Sequence, residues 1–376
     1  MIYLDEAATT PVKREVMEAM WPYLGPQFGN PSSHHEVGEA ARAALEQARA
    51  DVAKVLGARA SEITFTSGGT ESDNTAVKGI ALAAGPGSHV IVSSIEHPAV
   101  LESAEFLGRI GHDVTVLPVD HDGLVQPDTL AAALREDTAL VSIQYANNEV
   151  GTIQPLAALA HLTTEHGITF HTDAVQAAGW LDLDVARLGV QALSISGHKI
   201  GAPKGIGVLW VSRRTPFEPL IHGGGQEGGR RSGTENVAAA VGMAAALRLA
   251  SGSNDDVIAR RGAFIGRVLA EIPGSELTGH AGHRLPGSAS FVFPGHSGES
   301  ILLDLERRGV VSSSGSACAA GSDEPSHVLT AMGYAAEIAQ TAVRFTFGRT
   351  TTAEQLDEVA NHLIEAQADG TRRTTT

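Results

Sequence analysis

The chain has a single cysteine among its 376 residues, Cys318, so a disulfide within the chain is excluded and a reducing compartment is favoured. It also lacks any apolar run approaching the roughly 20 residues that a membrane-spanning helix needs. Its first six residues include two acids and none of the basic residues that begin a secretory signal peptide. These absences predict a cytoplasmic protein without a membrane partner.

Positive charge is scarce as well. The chain has 27 Lys and Arg against 43 Asp and Glu, a net charge of −16, which argues against direct contact with nucleic acid. Only five of the basic residues are lysines, and one of them, Lys199, closely follows the apolar residues 192–195 in a stretch rich in Gly and Pro. A primary amine can form a Schiff base and a guanidinium cannot, so Lys199 is a candidate for covalent chemistry. The alternative is an ordinary surface lysine in a loop.

Apolar, strand-like runs alternate with helical stretches between residues 62 and 211, which predicts an α/β fold with a mostly parallel, helix-covered sheet. Thr10-Pro11 has the pattern of an N-cap with proline at N1, so we expect the first helix to start there and run to about Leu24. Strands and helices after residue 253 predict a smaller α+β domain. We expect a large domain over 13–252 and a small domain, built from 1–12 and 253–376, that carries the Cys318 loop.

Several polar loops follow predicted strands, and ligands bind beyond the carboxyl ends of the strands in parallel sheets. Residues 67–70, with Gly69 and Thr70, follow one strand and open a helix, which suits an anion, although an ordinary helix cap is the alternative. His97 follows the next strand and could stack on a flat ligand or shuttle protons, or simply cap a helix. Asn148 lies in a run of amides that suits a polar ligand but also an ordinary turn.

Asp173 ends another predicted strand, where a carboxylate is partly buried and needs a partner. The protonated ring nitrogen of a pyridine cofactor would serve, and the alternative partner is a loop N–H. With the amine of Lys199 and the anion cradle at 67–70, Asp173 matches the ring nitrogen, aldehyde and phosphate of pyridoxal 5'-phosphate (PLP). A metal enzyme is disfavoured because the scattered His pairs lack any zinc-type spacing.

Two further residues extend this hypothesis. Cys318 has small polar neighbours on both sides, which predicts an exposed, flexible loop rather than the buried site usual for a lone Cys. A free thiol with a pKa near 8.5 is readily activated by a small local shift. Arg344 alternates with apolar residues on a predicted strand and could pair with a substrate carboxylate, or else form an internal salt bridge.

Long motifs along nearly the whole chain resemble the cysteine desulfurases of the NifS/IscS type, in the class V aminotransferase superfamily of fold-type I PLP enzymes. Glu6 departs from the asparagine common in this family, and Ala202 interrupts its usual Gly-Pro-Lys-Gly. The matching motifs are Tyr3-Leu4-Asp5-Glu6-Ala7-Ala8-Thr9-Thr10-Pro11, Gly29-Asn30-Pro31-Ser32-Ser33, Ser67-Gly68-Gly69-Thr70-Glu71-Ser72-Asp73-Asn74, Asn147-Asn148-Glu149-Val150-Gly151, Asp173-Ala174-Val175-Gln176, Ser196-Gly197-His198-Lys199, Gly223-Gly224-Gly225-Gln226-Glu227, Arg231-Ser232-Gly233-Thr234 and Ser314-Gly315-Ser316-Ala317-Cys318.

The resemblance implies a PLP site and assigns roles in it to the matching residues. Lys199 is expected to bind the cofactor covalently and later to move the substrate Cα proton. Asp173 would pair with the ring nitrogen and Gln176 with the ring hydroxyl. His97 would stack on the ring and take part in proton transfer. The phosphate ligands would be Gly69, Thr70, Ser196, His198 and, across a dimer interface, Thr234.

The resemblance also implies the reaction. Asn148 and Arg344 would hold L-cysteine, and Asn148 is also expected to contact the cofactor. Cys318 would take the sulfur as a persulfide and leave L-alanine. A homodimer would then pass the sulfur to an acceptor protein, an iron–sulfur scaffold or a sulfur carrier for thiolation of tRNA or another target. A selenocysteine lyase, a PLP aminotransferase and a non-enzymatic scaffold with this fold are the alternatives.

Overall fold

The computed structural model describes residues 1–314 and 324–373, without the side chains of 367–373. The helices are α1 Arg14–Leu24, α2 Glu36–Val55, α3 Gly69–Ala84, α4 Pro98–Arg109, α5 Pro127–Ala133, α6 Leu156–Glu165, α7 Val185–Leu188, α8 Val237–Ala250, α9 Asp255–Glu271, α10 Gly298–Arg307, α11 His327–Ala331, α12 Ala336–Ala339 and α13 Ala353–Arg373. The strands are β1 Ile2–Tyr3, β2 Ile63–Thr66, β3 His89–Ser93, β4 Asp113–Leu117, β5 Thr138–Ser142, β6 Thr169–Asp173, β7 Ala192–Ser196, β8 Gly207–Val211, β9 Glu276–Leu277, β10 Ser288–Val292, β11 Val310–Val311 and β12 Val343–Thr346.

A seven-stranded sheet in the order β2-β8-β7-β6-β5-β3-β4 organises the first two thirds of the chain. Its strands pair in parallel from β4 through β7, and β8 pairs antiparallel with both β7 and β2. The predicted α/β class with a mostly parallel sheet is therefore confirmed. Because β8 alone is reversed, the carboxyl ends of β2, β3, β5, β6 and β7 lie at one edge of the sheet.

Helices cover both faces of this sheet, as its apolar strands require. One core cluster packs α2, α6 and α8 against the sheet, with Phe170 and Met243 fully buried in it. A second cluster packs α3 and α4 against the opposite face and includes Val92 and Leu209. Strands buried on both faces read as continuous apolar runs, which is why residues 192–196 could be assigned from sequence.

A smaller antiparallel sheet, β12-β10-β9, forms within the last third of the chain. Its core is aromatic, and Phe264 meets Phe345 edge to face with ring centroids 5.4 Å apart. The first strand of the chain joins this part, since β1 pairs in parallel with β11 and buries Ile2 and Leu4 in the same cluster. The N-terminal arm, residues 1–13 ahead of α1, therefore begins against this smaller part of the fold.

The predicted start of the first helix is wrong. Helix α1 begins at Arg14, after the N-cap Lys13, and not at Thr10-Pro11. The hydroxyl of Thr10 instead donates to the carbonyl of His198 at 2.8 Å and accepts from the backbone N–H of Gly201 at 2.8 Å. These long-range contacts outweigh the local capping preference and attach the N-terminal arm to the segment that carries Lys199.

No helix in the described parts of the chain is long and apolar enough to cross a membrane.

Candidate active site

The loops singled out in the sequence meet at one edge of the large sheet. Residues 67–70 follow β2, His97 follows β3, Asn148 follows β5, Asp173 ends β6 and Lys199 follows β7. Each of these strands points its carboxyl end to the same edge, which is where ligands bind in parallel sheets. The structure therefore brings these five loops together at one edge of the sheet.

Lys199 ends a short 3-10 turn directly after β7 and is half-buried. Its Nζ donates to the carbonyl oxygens of Ala7 at 2.5 Å and Ala8 at 2.8 Å. The amine is therefore directed against the N-terminal arm and does not face bulk water, in contrast to the surface-lysine alternative.

Asp173 is the last residue of β6, the strand next to β7, and has 8% of its surface exposed. Its Oδ1 accepts from the backbone N–H of Val175 at 2.8 Å, so the loop N–H that was the alternative partner is present. Burial raises the pKa of this carboxyl, and the nearby side chains of His97 and Lys199 act against that rise. A buried carboxyl between two basic groups is suited to pairing with a cation.

His97 is the N-cap of α4, and its Nδ1 accepts from the backbone N–H of Ala99 at 3.1 Å. Because Nδ1 is an acceptor, the neutral ring carries its proton on Nε2. Burial lowers the pKa of His97, Lys199 and His327 lower it further, and the carboxylate of Asp173 raises it. His97 therefore caps a helix and lies within electrostatic reach of Asp173 and Lys199.

The N-terminus of α3 supplies an anion cradle at the same edge. Its N-cap is Gly68, and no side chain caps the helix. A Cβ on Gly69 would lie 2.8 Å from Cγ2 of Val175 and 3.3 Å from Cβ of Ser196, so only glycine fits there. Thr70 is exposed in the first turn and Ser196 is buried beside it at the end of β7. Uncapped N–H groups and a hydroxyl suit a phosphate.

His198 and Gln176 both contact the N-terminal arm. Nδ1 of His198 lies 3.1 Å from the hydroxyl of Thr9, and burial with the charge of Lys199 lowers the pKa of His198 to about 4. The imidazole is therefore neutral at pH 7. Nε2 of Gln176 donates to the carbonyl of Ala7 at 3.0 Å. Sequence reasoning gave this arm no part in the site, although its residues belong to a matching motif.

Arg344 is almost completely buried, with 1% of its surface exposed. Its Nη1 donates to the carbonyl of Asn148 at 2.9 Å, and its Nη2 forms an ion pair with Oδ1 of Asp5 at 2.6 Å. The structure thus contains the internal salt bridge that was the alternative for Arg344. It also brings Arg344 and Asn148 together, as a shared substrate site requires.

Thr234 follows a glycine-rich loop and is exposed. It lines a cavity of about 130 Å³ together with Ser67 and Arg231. Glu227 anchors this loop. It is buried, its backbone has φ +52°, and its carboxylate forms an ion pair with Arg49 at 2.6 Å. Sequence reasoning missed the anchoring role of Glu227, which only the long-range ion pair reveals.

Three buried titratable groups behind Asp173 were also missed. Glu96 is fully buried, accepts from the backbone N–H of Gln144 at 3.0 Å, and burial raises its pKa to about 8. Asp73 is 1% exposed, and burial beside Asp173 raises its pKa well above the usual range. Burial lowers the pKa of His171 to about 3. Among the residues described, no three His, Cys, Asp or Glu side chains are grouped to bind a metal.

Cys318 lies outside the described residues, as do its neighbours from 315 to 323. On one side of this gap, Ser313 exchanges backbone hydrogen bonds with Arg344. On the other side, Ser326 donates to Glu149 at 2.5 Å. The chain therefore enters and leaves the Cys318 segment beside the residues around Arg344 and Asn148.

Comparisons with known proteins match nearly the whole chain. A model of the aminotransferase class-V family matches residues 2–359. The cysteine desulfurase IscS of Dictyoglomus turgidum is 50% identical over 372 residues, which cover 97% of this chain and 94% of that protein. The cysteine desulfurase NifS of Azotobacter vinelandii is 45% identical over 363 residues, covering 95% of this chain and 90% of that protein.

Solved structures show the same likeness. A NifS-like protein superimposes with a TM-score of 0.91 at 36% identity, covering 98% of this chain and 99% of that one. A structure described as SspA in complex with cysteine has a TM-score of 0.83 at 38% identity, covering 92% of this chain and 99% of that one.

Proposed function

The chain belongs to the aminotransferase class-V family and, within it, to the cysteine desulfurases of the IscS and NifS type, and on this basis we propose how its residues share the reaction. The enzyme is PLP-dependent and converts L-cysteine to L-alanine. The sulfur passes to Cys318 as a persulfide and from there to an acceptor protein. The observation that supports this best is the convergence of Lys199, Asp173 and the uncapped start of α3 at one edge of the sheet. The relatives do not favour the lyase, aminotransferase or scaffold alternatives.

The described residues fit PLP in three chemical respects. The uncapped N-terminus of α3, with Gly69, Thr70, Ser196 and His198 around it, matches a phosphate. The buried carboxyl of Asp173 matches a protonated pyridine nitrogen, since its burial calls for a cationic partner. The amine of Lys199 is directed inward, where it can bond to an aldehyde. Gln176 would bind the ring hydroxyl. Asn148, which follows β5 at the same edge of the sheet, would also contact the cofactor.

When bound, PLP supplies a ring that withdraws electrons from the substrate Cα. The residues of the chain supply binding and proton transfer. Lys199 removes and returns the proton at Cα, and His97 lies against the site with a proton on Nε2. Asn148 and Arg344 hold the substrate carboxylate. The Cys318 thiolate would then attack the substrate sulfur, and the Cβ–S bond breaks with its electron pair going to the carbon side. Cβ takes up a proton and becomes the methyl group of alanine, and the sulfur stays on Cys318 as a persulfide.

The enzyme is proposed to act as a homodimer. Thr234 is exposed on an anchored loop, which suits a contact with the cofactor phosphate of a partner subunit. Four large apolar side chains on α1 and just after it are exposed, with Trp21 72% and Phe28 76% accessible, and the other two are Met17 and Leu24. Exposed large apolar side chains grouped on one short segment indicate an interface with another protein.

The remaining proposals concern organisation and partners. We infer a large domain over 13–252 and a small domain from 1–12 and 253–376, in line with separate hydrophobic clusters around the two sheets. The enzyme would act in the cytoplasm, without a membrane or direct nucleic-acid contact. Its net charge of −16 favours sulfur delivery through a protein, either an iron–sulfur scaffold or a sulfur carrier.

Two variants test the function. Borohydride reduction of the PLP-loaded protein should fix the cofactor to Lys199, so Lys199→Ala should carry no attached mass, whereas the exposed neighbour variant Lys204→Ala should behave as wild type. Cys318→Ala should keep the cofactor absorbance and lose alanine formation from L-cysteine, because the nucleophile is absent. Equal turnover with and without the thiol would refute the persulfide route.

A further inference from the structure

The N-terminal arm provides a carboxylate at the position where the substrate carboxylate is expected. Oδ1 of Asp5 pairs with Nη2 of Arg344 at 2.6 Å. The Nη1 group of Arg344 donates to the carbonyl of Asn148. Both are residues proposed to hold L-cysteine. An arginine that binds a carboxylate does so through a pair of N–H groups, so Asp5 uses a donor that the substrate needs.

The backbone of Asp5 is held in place, so an exchange at Arg344 would require a movement of the Asp5 side chain alone. The carbonyl of Asp5 accepts from the hydroxyl of Tyr3 at 2.9 Å and from the backbone N–H of Ala8 at 3.0 Å, and Asp5 forms a β-bridge with Thr346. The side chain of Asp5 is 17% exposed, whereas that of Arg344 is 1% exposed. Asp5 therefore has a path towards solvent that Arg344 lacks.

Electrostatics makes an exchange favourable. A guanidinium buried to this degree is costly without an anionic partner, so Arg344 must stay paired at all times. Two carboxylates on one buried guanidinium repel each other, so the substrate carboxylate competes with that of Asp5. If the substrate carboxylate replaces the carboxylate of Asp5, Arg344 keeps an anionic partner. The free-energy cost of a buried guanidinium without an anion is then not incurred.

We propose that Asp5 is an internal competitor for L-cysteine, which occupies Arg344 in the ligand-free enzyme and is displaced by the substrate carboxylate. Asp5 then sets the affinity for the substrate without touching the reacting atoms. This inference rests on the proposed function, because it takes Arg344 as the substrate-carboxylate site. It gives Asp5 a role in specificity: a ligand must carry an anion strong enough to displace it.

The test compares Asp5→Asn with the matched control Glu6→Gln, in the PLP-loaded protein. Both changes remove one negative charge from the arm, but Glu6 lies against Gly348 and not against Arg344. Binding is measured by calorimetry with 3-mercaptopropionate, which has the carboxylate and thiol of cysteine without its amine, and with cysteamine, which lacks the carboxylate. KM and kcat for L-cysteine are measured in parallel.

Asp5→Asn should bind 3-mercaptopropionate about tenfold more tightly, because a site that is available about a tenth of the time weakens apparent affinity by that factor. Cysteamine binding should stay within about twofold, KM should fall with little change in kcat, and Glu6→Gln should match wild type. Asp5→Ser gives the same comparison if the Asn variant is poorly folded.

Unchanged or weaker binding of 3-mercaptopropionate to Asp5→Asn, or equal tightening of both ligands, would overturn the inference. If wild type forms no alanine and shows no cofactor band, the proposed function fails instead. The two failures are therefore distinguishable.

Discussion

Glu96 has no exposed surface and precedes His97 in the chain. It follows β3, and β5 separates β3 from β6, the strand that ends in Asp173. Its pKa is raised to about 8 by burial, against an ordinary value near 4.5. A carboxyl whose folded-state pKa lies above its unfolded value contributes stability at low pH and loses that contribution as pH rises through the folded pKa. The neutral form of Glu96 is therefore the one that the fold favours.

We predict that Glu96→Gln changes the pH dependence of stability. Gln keeps an oxygen that can accept from the N–H of Gln144 but cannot ionise. Between pH 5 and pH 8, the melting temperature of wild type should fall relative to that of Glu96→Gln. Thermal unfolding at several pH values measures the difference, with the exposed Glu102→Gln as the control. Parallel curves for wild type and Glu96→Gln would contradict the raised pKa.

Individual site residues were predicted from sequence to differing degrees. Lys199 and Asp173 could be found because a lysine or carboxylate at the end of an apolar strand has few ordinary explanations. The partners of Arg344 could not, because Asp5 is 339 positions away in the chain. The buried acids Asp73 and Glu96 were also missed, since a helix residue and a turn residue give no local sign of burial.

At the scale of elements, the loop from β2 to α3 depends on close packing at Gly69. A Cβ there would come within 2.8 Å of Val175, whereas a Cβ on Gly262, inside α9, would meet nothing within 4 Å. A side chain therefore fits at Gly262 but collides with its neighbours at Gly69, although both glycines lie in helices.

We predict that Gly69→Ala destabilises the protein by about 1–3 kcal/mol through overpacking and weakens PLP binding, because the first turn of α3 must shift. Gly262→Ala should instead stabilise it by about 0.5–1 kcal/mol through helix propensity. Denaturant unfolding and titration with PLP measure both effects. Tight PLP binding by Gly69→Ala would show that the cradle does not depend on this packing.

Elements were easier to predict than their ends. The alternation of apolar strands and helices between residues 62 and 211 was predicted, because periodicity is a local property. Helix α1 begins later than its sequence signal because Thr10 binds His198 and Gly201. The reversed direction of β8 was not predicted, since strand polarity depends on pairing partners rather than on local composition.

For the whole molecule, the apolar surface of Met17, Trp21, Leu24 and Phe28 leads to a prediction about assembly. Trp21→Asp should weaken or abolish the homodimer, because a carboxylate in an apolar interface is left without a partner. Sedimentation velocity measures the mass of each variant. Ile110→Asp, at a separate exposed apolar residue after α4, is the control and should remain dimeric. A dimeric Trp21→Asp would place the interface elsewhere.

The contacts of the N-terminal arm have a consequence for the order of assembly. Ala7 takes a hydrogen bond from Lys199 and donates one to Thr346, and Asp5 pairs with Arg344. During synthesis residues 5 and 7 are made long before residues 344 and 346, so these two contacts of the arm can form only after the later residues exist. A nascent chain stopped before residue 344 therefore cannot complete the arrangement around Lys199 and Arg344.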